Sequence, residues 1–161
     1  MVTLNRTLSV STPSDREIVL TRDFDAPREL VFRALSGPEH LREWWGQKGS
    51  TLSVCEMDFR PGGAWRIVER DANGAEWGFR GEVREIDPPS RVVQTFEFEG
   101  MPGHISLETM VLEDIEGKTR LTVTSSFDSK EDRDGMLQSG MEKGAAETYD
   151  RLEAYLAKMA V

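Results

Sequence analysis

The sequence predicts an α+β fold in which a curved antiparallel sheet of about seven strands wraps around a long C-terminal helix. Between Thr51 and Phe127 the hydrophobic residues alternate, and turn sequences separate the segments, which is typical of antiparallel strands. From Asp134 to Met159 the apolar residues instead follow the spacing of an amphipathic helix. Because an antiparallel sheet must bury one face, we expect this helix to cover it.

The chain begins with segments that predict one strand and two short helices. Glu17–Phe24 alternates and is rich in strand-forming residues, so it is the first strand. Asp25 precedes Pro27, a proline that fits the first turn of a helix, and this predicts a helix start. A second short helix is expected from Pro38 toward Trp44.

The central part of the chain predicts six consecutive strands, which gives the element order β-α-α-β6-α. Asn73-Gly74 is a strong hairpin signal between two of these strands. The six predicted strands are Thr51–Arg60, Ala64–Arg70, Glu76–Ile86, Arg91–Glu99, Ile105–Ile115 and Thr119–Phe127.

The C-terminal segment is predicted to be one helix from Asp134 to Met159. Gly140 and Gly144 lie in its first half, where each glycine costs about 1 kcal/mol relative to alanine. These glycines indicate either close packing of the helix on the sheet or space left beside the helix for a ligand. The predicted buried face contains Leu137, Met141, Ala145, Thr148, Leu152, Tyr155 and Met159.

Length and composition fit one globular domain, which we place at residues 17–161, with residues 1–16 as a flexible lead-in or an edge strand. The net charge of -9, with arginines spread along the chain, argues against a nucleic-acid partner. No segment resembles a membrane span or a secretory signal, so a cytoplasmic location is expected. A single cysteine, Cys55, and two distant histidines give no zinc pattern, and no metal or cofactor is expected.

Several ordered motifs resemble one known family. The first runs from Phe24 to Ala34 and continues through Pro38-Glu39-His40-Leu41 to Trp44-Trp45-Gly46. Further matches are Phe59-Arg60-Pro61-Gly62-Gly63-Ala64-Trp65, Phe79-Arg80-Gly81-Glu82-Val83, Ile86-Asp87-Pro88-Pro89, Gly140-Met141-Glu142-Lys143-Gly144 and Asp150-Arg151-Leu152. Together they resemble the AHSA-like family, named for the C-terminal domain of an activator of the heat-shock-ninety chaperone ATPase, within the START-like (SRPBCC) superfamily.

This resemblance implies a helix-grip fold with a cavity between the curved sheet and the long helix. Members of the superfamily bind apolar small molecules, catalyse cyclisations or contact chaperones. This chain lacks the separate N-terminal domain of the eukaryotic chaperone activator, so we do not expect a chaperone partner. A homodimer is compatible with the sequence.

The aromatic and small residues of the strands and the long helix are candidates for lining that cavity. Aromatic residues could equally fill the core, and Gln94 and Ser125 could either orient a ligand or pair with structural groups. The candidate cavity residues are Trp45, Trp65, Trp77, Phe79, Gln94, Phe96, Phe98, Met110, Ser125, Met141, Gly144, Ala145 and Thr148.

These candidates lead to the hypothesis that the domain binds an apolar or aromatic small molecule. The first alternative is an enzyme of cyclase or hydrolase type, with a cavity carboxylate from Glu56, Glu82 or Glu108, or with His104, as acid or base. We assign no catalytic residue, because no nucleophile, phosphate-loop or dinucleotide motif is present. The second alternative is a protein-interaction module, which requires a large exposed apolar patch.

Overall fold

The computed structural model describes residues 3–160 and has the predicted α+β architecture. One antiparallel sheet holds eight strands in the spatial order β1-β2-β8-β7-β6-β5-β4-β3. The strands are β1 Ser9–Ser11, β2 Glu17–Phe24, β3 Thr51–Met57, β4 Ala64–Arg70, β5 Glu76–Asp87, β6 Arg91–Phe98, β7 Ile105–Ile115 and β8 Lys118–Ser126. The helices are α1 Arg28–Leu35, α2 Pro38–Trp44, α3 Lys130–Gln138 and α4 Met141–Met159.

Strands β3 to β8 form an open antiparallel meander, and β2 adds to it beside β8. β2 pairs with β8 along its whole length, from Glu17 opposite Ser126 to Phe24 opposite Thr119. The two short helices therefore connect β2, near one edge of the sheet, to β3 at the opposite edge. Strand β1 is the additional edge strand, and it forms within the segment interpreted as a flexible lead-in or an edge strand.

The C-terminal segment is broken into two helices, so the prediction of one continuous helix from Asp134 is wrong. Gly140 has φ of 85° and separates α3 from α4. Glycine adopts this left-handed conformation without the steric cost that a Cβ imposes. Ser129 caps α3 by accepting a hydrogen bond from the Asp132 N–H at 3.1 Å, so this helix also begins earlier than predicted. The hydrophobic pattern runs across the break because both helices face the same core.

Helix α1 begins at Arg28, with Pro27 at the N-cap position rather than inside the first turn. Asp25 does not cap this helix. It forms an ion pair with Lys118 at 2.6 Å instead, which connects the start of the helical segment to β8.

Helix α4 is the long C-terminal element of the fold, and its apolar face enters the core. Leu152 and Leu156 are 0% and 1% exposed. On the flank of α4, the buried guanidinium of Arg22 in β2 donates to Asp150 at 3.1 Å and Glu153 at 3.2 Å. Its central carbon, Cζ, also lies 4.6 Å from the centre of the Phe24 ring. These contacts fix the helix to the strand beneath it. Within residues 3–160, every helix is too short or too polar to cross a membrane.

Two side chains of α4 hold the segment that follows α2. Arg151 donates to the carbonyls of Gly46 at 3.1 Å and Gln47 at 3.0 Å. The Thr148 hydroxyl lies 2.9 Å from the Gly46 carbonyl and 2.8 Å from that of Gly144 in its own helix, and its one hydrogen serves either. Because the carbonyl groups after a helix end lack helical partners, these bonds satisfy them and fix the position of Trp45.

Candidate ligand-binding cavity

A cavity of about 580 Å³ lies between the concave face of the sheet and α4. Its inner end is closed by side chains of α1 and α2, including Leu35, Leu41 and Trp44, which are 7%, 4% and 3% exposed. Its other end is bordered by Met101 and Ile105, beside the β6–β7 loop, and these are 56% and 45% exposed. The exposed end, between this loop and α3, is therefore the mouth.

All but one of the candidate residues from the sequence line this cavity. The exception is Ser125, which the structure does not place at the cavity surface. It lies in β8 between Ile18 and Glu108 in the neighbouring strands, and its short side chain sits between these two larger ones. The residues that do line the cavity are Trp45, Trp65, Trp77, Phe79, Gln94, Phe96, Phe98, Met110, Met141, Gly144, Ala145 and Thr148.

A continuous group of aromatic rings, here called the aromatic wall, forms one side of the cavity. Phe79 of β5 is at its centre, with the Phe96 and Phe98 rings of β6 each 5.5 Å from it between centroids. Trp45, after α2, lies 5.2 Å from Phe79, and Trp77 lies 6.2 Å from Phe98 at the mouth. Alternation along β5 and β6 brings these side chains to the same face.

Trp65 extends the wall to β4 but is almost wholly buried, with 4% of its surface exposed. Its indole Nε1 has no hydrogen-bond partner among the described residues. The indole lies against Gly81, the residue opposite it in β5, where an added Cβ would be 2.6 Å from Nε1 and 2.0 Å from the Thr95 carbonyl oxygen. Glycine at this position therefore allows the indole to lie flat against the sheet.

Gly144 faces a loop, whereas the sequence left open either close packing on the sheet or space for a ligand. A Cβ there would lie 3.2 Å from Nε2 of Gln47, which belongs to the loop between α2 and β3 and not to the sheet. Gly144 and the following Ala145 both line the cavity. Small residues in the first turns of α4 thus allow a loop to approach and leave open volume beside the helix.

The polar groups deep in the cavity are a carboxyl, an amide and a phenol. Gln94 of β6 donates from Nε2 to Oε1 of Glu108 in β7 at 3.1 Å, and the two residues are directly opposite in the sheet. Burial among protein atoms raises the pKa of Glu108 above its ordinary value of 4.5, and the bond from Gln94 opposes this only in part. Burial, followed by the charge of Glu108, also raises the pKa of Tyr149 on α4. Desolvation disfavours the charged form of both groups.

Three further carboxyl groups line the cavity, and two of them already have structural partners. Glu69 of β4 accepts a hydrogen bond from the Gln47 N–H at 2.8 Å. Asp132 of α3 lies 2.7 Å from Nδ1 of His104 at the mouth. This contact joins the β6–β7 loop to α3 and gives His104 an orienting partner that was not evident from its neighbours in the sequence.

Glu108 was one of three strand carboxylates considered as possible cavity groups, and it lines the cavity. The lining polar residues that sequence reasoning did not name include Glu69, Tyr149 and Asp132. Glu56 and Glu82, the other candidates, are exposed and do not line the cavity. Alternation from Trp65 would have placed Glu69 inward, and helical spacing from Ala145 would have placed Tyr149 on the same side. Asp132 gave no such signal, because the break at Gly140 sets the direction of α3.

Residues 25–157 match the sequence profile of the family described as Activator of Hsp90 ATPase homolog 1-like protein. The chain belongs to the AHSA1 family. The match covers all elements from α1 to most of α4, and it confirms the resemblance seen in the motifs. Among curated proteins, none matches the sequence.

Solved structures similar to this AHSA1-family chain share its helix-grip fold. A crystal structure of a protein from Rhodobacter sphaeroides has 27% identity and a TM-score of 0.87, with 94% of this chain and 99% of that chain covered. A solution structure of a protein from Arthrobacter aurescens has 25% identity and a TM-score of 0.83, covering 93% and 91%. The AHSA1 protein from Silicibacter pomeroyi has 25% identity and a TM-score of 0.73, covering 89% and 99%.

Proposed function

We propose that this AHSA1-family domain binds an apolar or aromatic small molecule in the cavity between the sheet and α4. The observation that carries this proposal is a cavity of about 580 Å³ with an aromatic wall and a few polar groups at depth. Small-molecule sites are typically concave, mostly apolar and about 300–1,000 Å³ in volume. Family membership is compatible with such a role and leaves the ligand open.

The binding energy would come mainly from removing apolar ligand surface from water. Each 100 Å² of such surface buried against the aromatic wall contributes about 2.5 kcal/mol, before the cost of immobilising the ligand. The rings of Phe79, Phe96 and Phe98 are positioned for offset or edge contacts with an aromatic ligand, which add about 0.5–1.5 kcal/mol for each pair. The cavity thus suits a ligand with a flat, apolar body.

The position of the exposed apolar side chains supports a small ligand over a protein partner. Among residues 3–160, the large hydrophobic side chains that are exposed are Trp77, Met101, Ile105 and Leu107. The first three also line the cavity. Their exposure is therefore accounted for by an opening through which a ligand enters, and a separate docking face is not needed to explain it.

The test is binding of a neutral fluorescent probe, N-phenyl-1-naphthylamine, to the full chain and to two matched variants. Ala145→Trp places a large side chain in the cavity, whereas Ala154→Trp adds the same side chain at an exposed position of the same helix. We expect probe binding to the parent and to Ala154→Trp, with at least a tenfold loss in Ala145→Trp, since filling the site removes the contact area. Equal binding by all three proteins, or no binding by the parent, would reject the cavity as the site.

A second candidate function is acid–base catalysis on the bound molecule, and Glu108 is the observation that favours it. A carboxyl with a raised pKa inside a mostly apolar cavity is the arrangement used by general acids and bases. His104 with Asp132 is a weaker candidate because it lies at the mouth, with about half of the His104 side chain exposed.

Hydrolysis of 1-naphthyl acetate provides a test of this second function. Catalysis by Glu108 predicts turnover above the uncatalysed rate, with a loss of about 100-fold or more in Glu108→Gln but not in Glu56→Gln, an exposed carboxylate in β3. If both variants retain the parent rate, Glu108 is not the catalytic group in this reaction.

A further inference from the structure

The charged residues that line the cavity have one sign. Among the described lining residues, the acidic side chains are Glu69, Glu108, Glu131 and Asp132, and none is lysine or arginine. His104 is the only lining residue that can carry a positive charge, and it is already in contact with Asp132. The arginines beside β5 and β6 form ion pairs elsewhere, as Arg80 does with Glu97 at 2.9 Å. The cavity therefore presents a negative potential to a molecule entering it.

Among the described residues, Glu69 accepts a hydrogen bond from the backbone N–H of Gln47, whereas Glu108 accepts only from the side chain of Gln94. Its Oε1 accepts from Gln94, but the structure gives its Oε2 no hydrogen bond among residues 3–160. Its neighbours on the elements around it are Gln94 on β6, Ser125 on β8 and Tyr149 on α4, and none of them is a cation. A partly buried carboxyl without a positive partner is costly to ionise, so an ammonium group bound to it would stabilise its charged form.

The position of Glu108 sets where on the ligand a charged group belongs. Phe98 lies near the mouth, and Gln94, paired with Glu108, lies four residues before it in β6. At about 3.3 Å per residue this separation is about 13 Å along the strand, with Phe96 between the two ends. An occupant would thus have an apolar body about 10–13 Å long against the aromatic wall, with its polar end toward the interior.

We propose that the ligand is an amine, an apolar or aromatic molecule whose basic nitrogen binds the free oxygen of Glu108 at the inner end of the cavity. This inference rests on the proposed function, since it presumes that the cavity is occupied. An ammonium group supplies the positive charge and the N–H donors that the site lacks, and the faces of Phe79 and Phe96 are a favourable environment for a cation. A carboxylate or phosphate ligand would face four acidic side chains, and the only basic side chain lining the described part of the cavity, His104, is already in contact with Asp132.

The ligand amine and the Glu108 carboxyl can form a hydrogen bond in either of two protonation states. An ammonium group donates to the ionised carboxylate, or the neutral carboxyl donates to the neutral amine. The two states contain the same number of protons and differ only in whether nitrogen or oxygen carries the shared one. The other titratable groups of the cavity are Tyr149 beside Glu108, Glu69 on β4, and the His104–Asp132 pair with Glu131 at the mouth.

The test compares three ligands of the same shape and different charge on the full chain by isothermal titration calorimetry. These are 1-naphthylmethylamine, the neutral 1-naphthalenemethanol and the anionic 1-naphthoate. We expect the amine to bind at least tenfold more tightly than the alcohol, because a charge-assisted hydrogen bond is about twice as strong as a neutral one. The naphthoate should bind most weakly, because the charged side chains lining the cavity are acidic.

The matched variants are Glu108→Gln and Glu113→Gln. Both remove one carboxylate from β7, but Glu113 is exposed and does not line the cavity. We expect the preference for the amine over the alcohol to fall to within about threefold in Glu108→Gln and to persist in Glu113→Gln. Unfolding curves of both variants check that the fold is intact.

The outcomes separate the two proposals. If the alcohol binds in the cavity but the amine binds no more tightly, or if naphthoate binds best, the amine inference is wrong and the proposed function stands. If the preference for the amine survives in a folded Glu108→Gln protein, Glu108 is not its origin and the inference also fails. If none of the three ligands binds, both proposals fail together. The comparison of the three ligands on the parent protein is decisive even if a variant does not fold.

Discussion

Replacing Leu152 with alanine should destabilise the protein by about 3–4 kcal/mol, because this side chain is fully buried where α4 meets the sheet. The change removes three carbon groups, worth about 0.8 kcal/mol each in transfer free energy, and the remainder is the cost of the void. For a chain of 161 residues, a loss of this size lowers Tm by roughly 6–16 °C.

The assay is urea unfolding of the parent and variants, followed by far-UV circular dichroism. Leu107→Ala is the matched control, since Leu107 is 40% exposed on β7 and its truncation should cost less than about 1 kcal/mol. A cost below 1 kcal/mol for Leu152→Ala, or equal costs for the two variants, would mean that α4 is not packed into the sheet. The cavity would then have no fixed wall, and the proposals built on it would fail.

Three further predictions concern single residues of the site and its frame. Glu108→Gln should become more stable relative to the parent as the pH rises above 4.5, because the raised pKa of Glu108 in the folded state makes its ionisation oppose folding. The difference in unfolding free energy should change by at most about 1.4 kcal/mol per pH unit. A difference that does not depend on pH between 4 and 8 would contradict this prediction. Gly140→Ala should destabilise the protein by about 1–2 kcal/mol, because alanine is strained at the positive φ of this position. Gly135→Ala should stabilise it by about 0.5–1 kcal/mol, because Gly135 lies inside α3 with open space for a methyl group. Equal effects in thermal melts would show that no helix break exists at Gly140. Gly81→Ala should cost about 1–3 kcal/mol and change the tryptophan emission, because its methyl group would collide with Trp65 and the Thr95 carbonyl; an unchanged spectrum and melting curve would contradict the packing described.

The sequence by itself determined the order and type of the elements except the break in the C-terminal helical segment. The change from a period of two to a helical period predicted the meander and a C-terminal helix, and Glu17–Phe24 was located at its observed bounds. These patterns depend on which side of each element is buried, and this is recorded locally in the residues. The aromatic wall followed from the same alternation along β5 and β6.

Only the tertiary structure decided how the polar groups meet. The hydrogen bond from Gln94 to Glu108 depends on the register of β6 and β7, which a shift of one residue would abolish. The contact between His104 and Asp132 joins residues 28 positions apart, and it depends on the direction of α3, which ends just before the left-handed residue Gly140. Ser125 shares the predicted face but does not reach the cavity, because its neighbours across the sheet are larger. Periodicity identifies the face to which a side chain belongs, whereas register, helix direction and the size of neighbouring residues determine whether it contributes to a site.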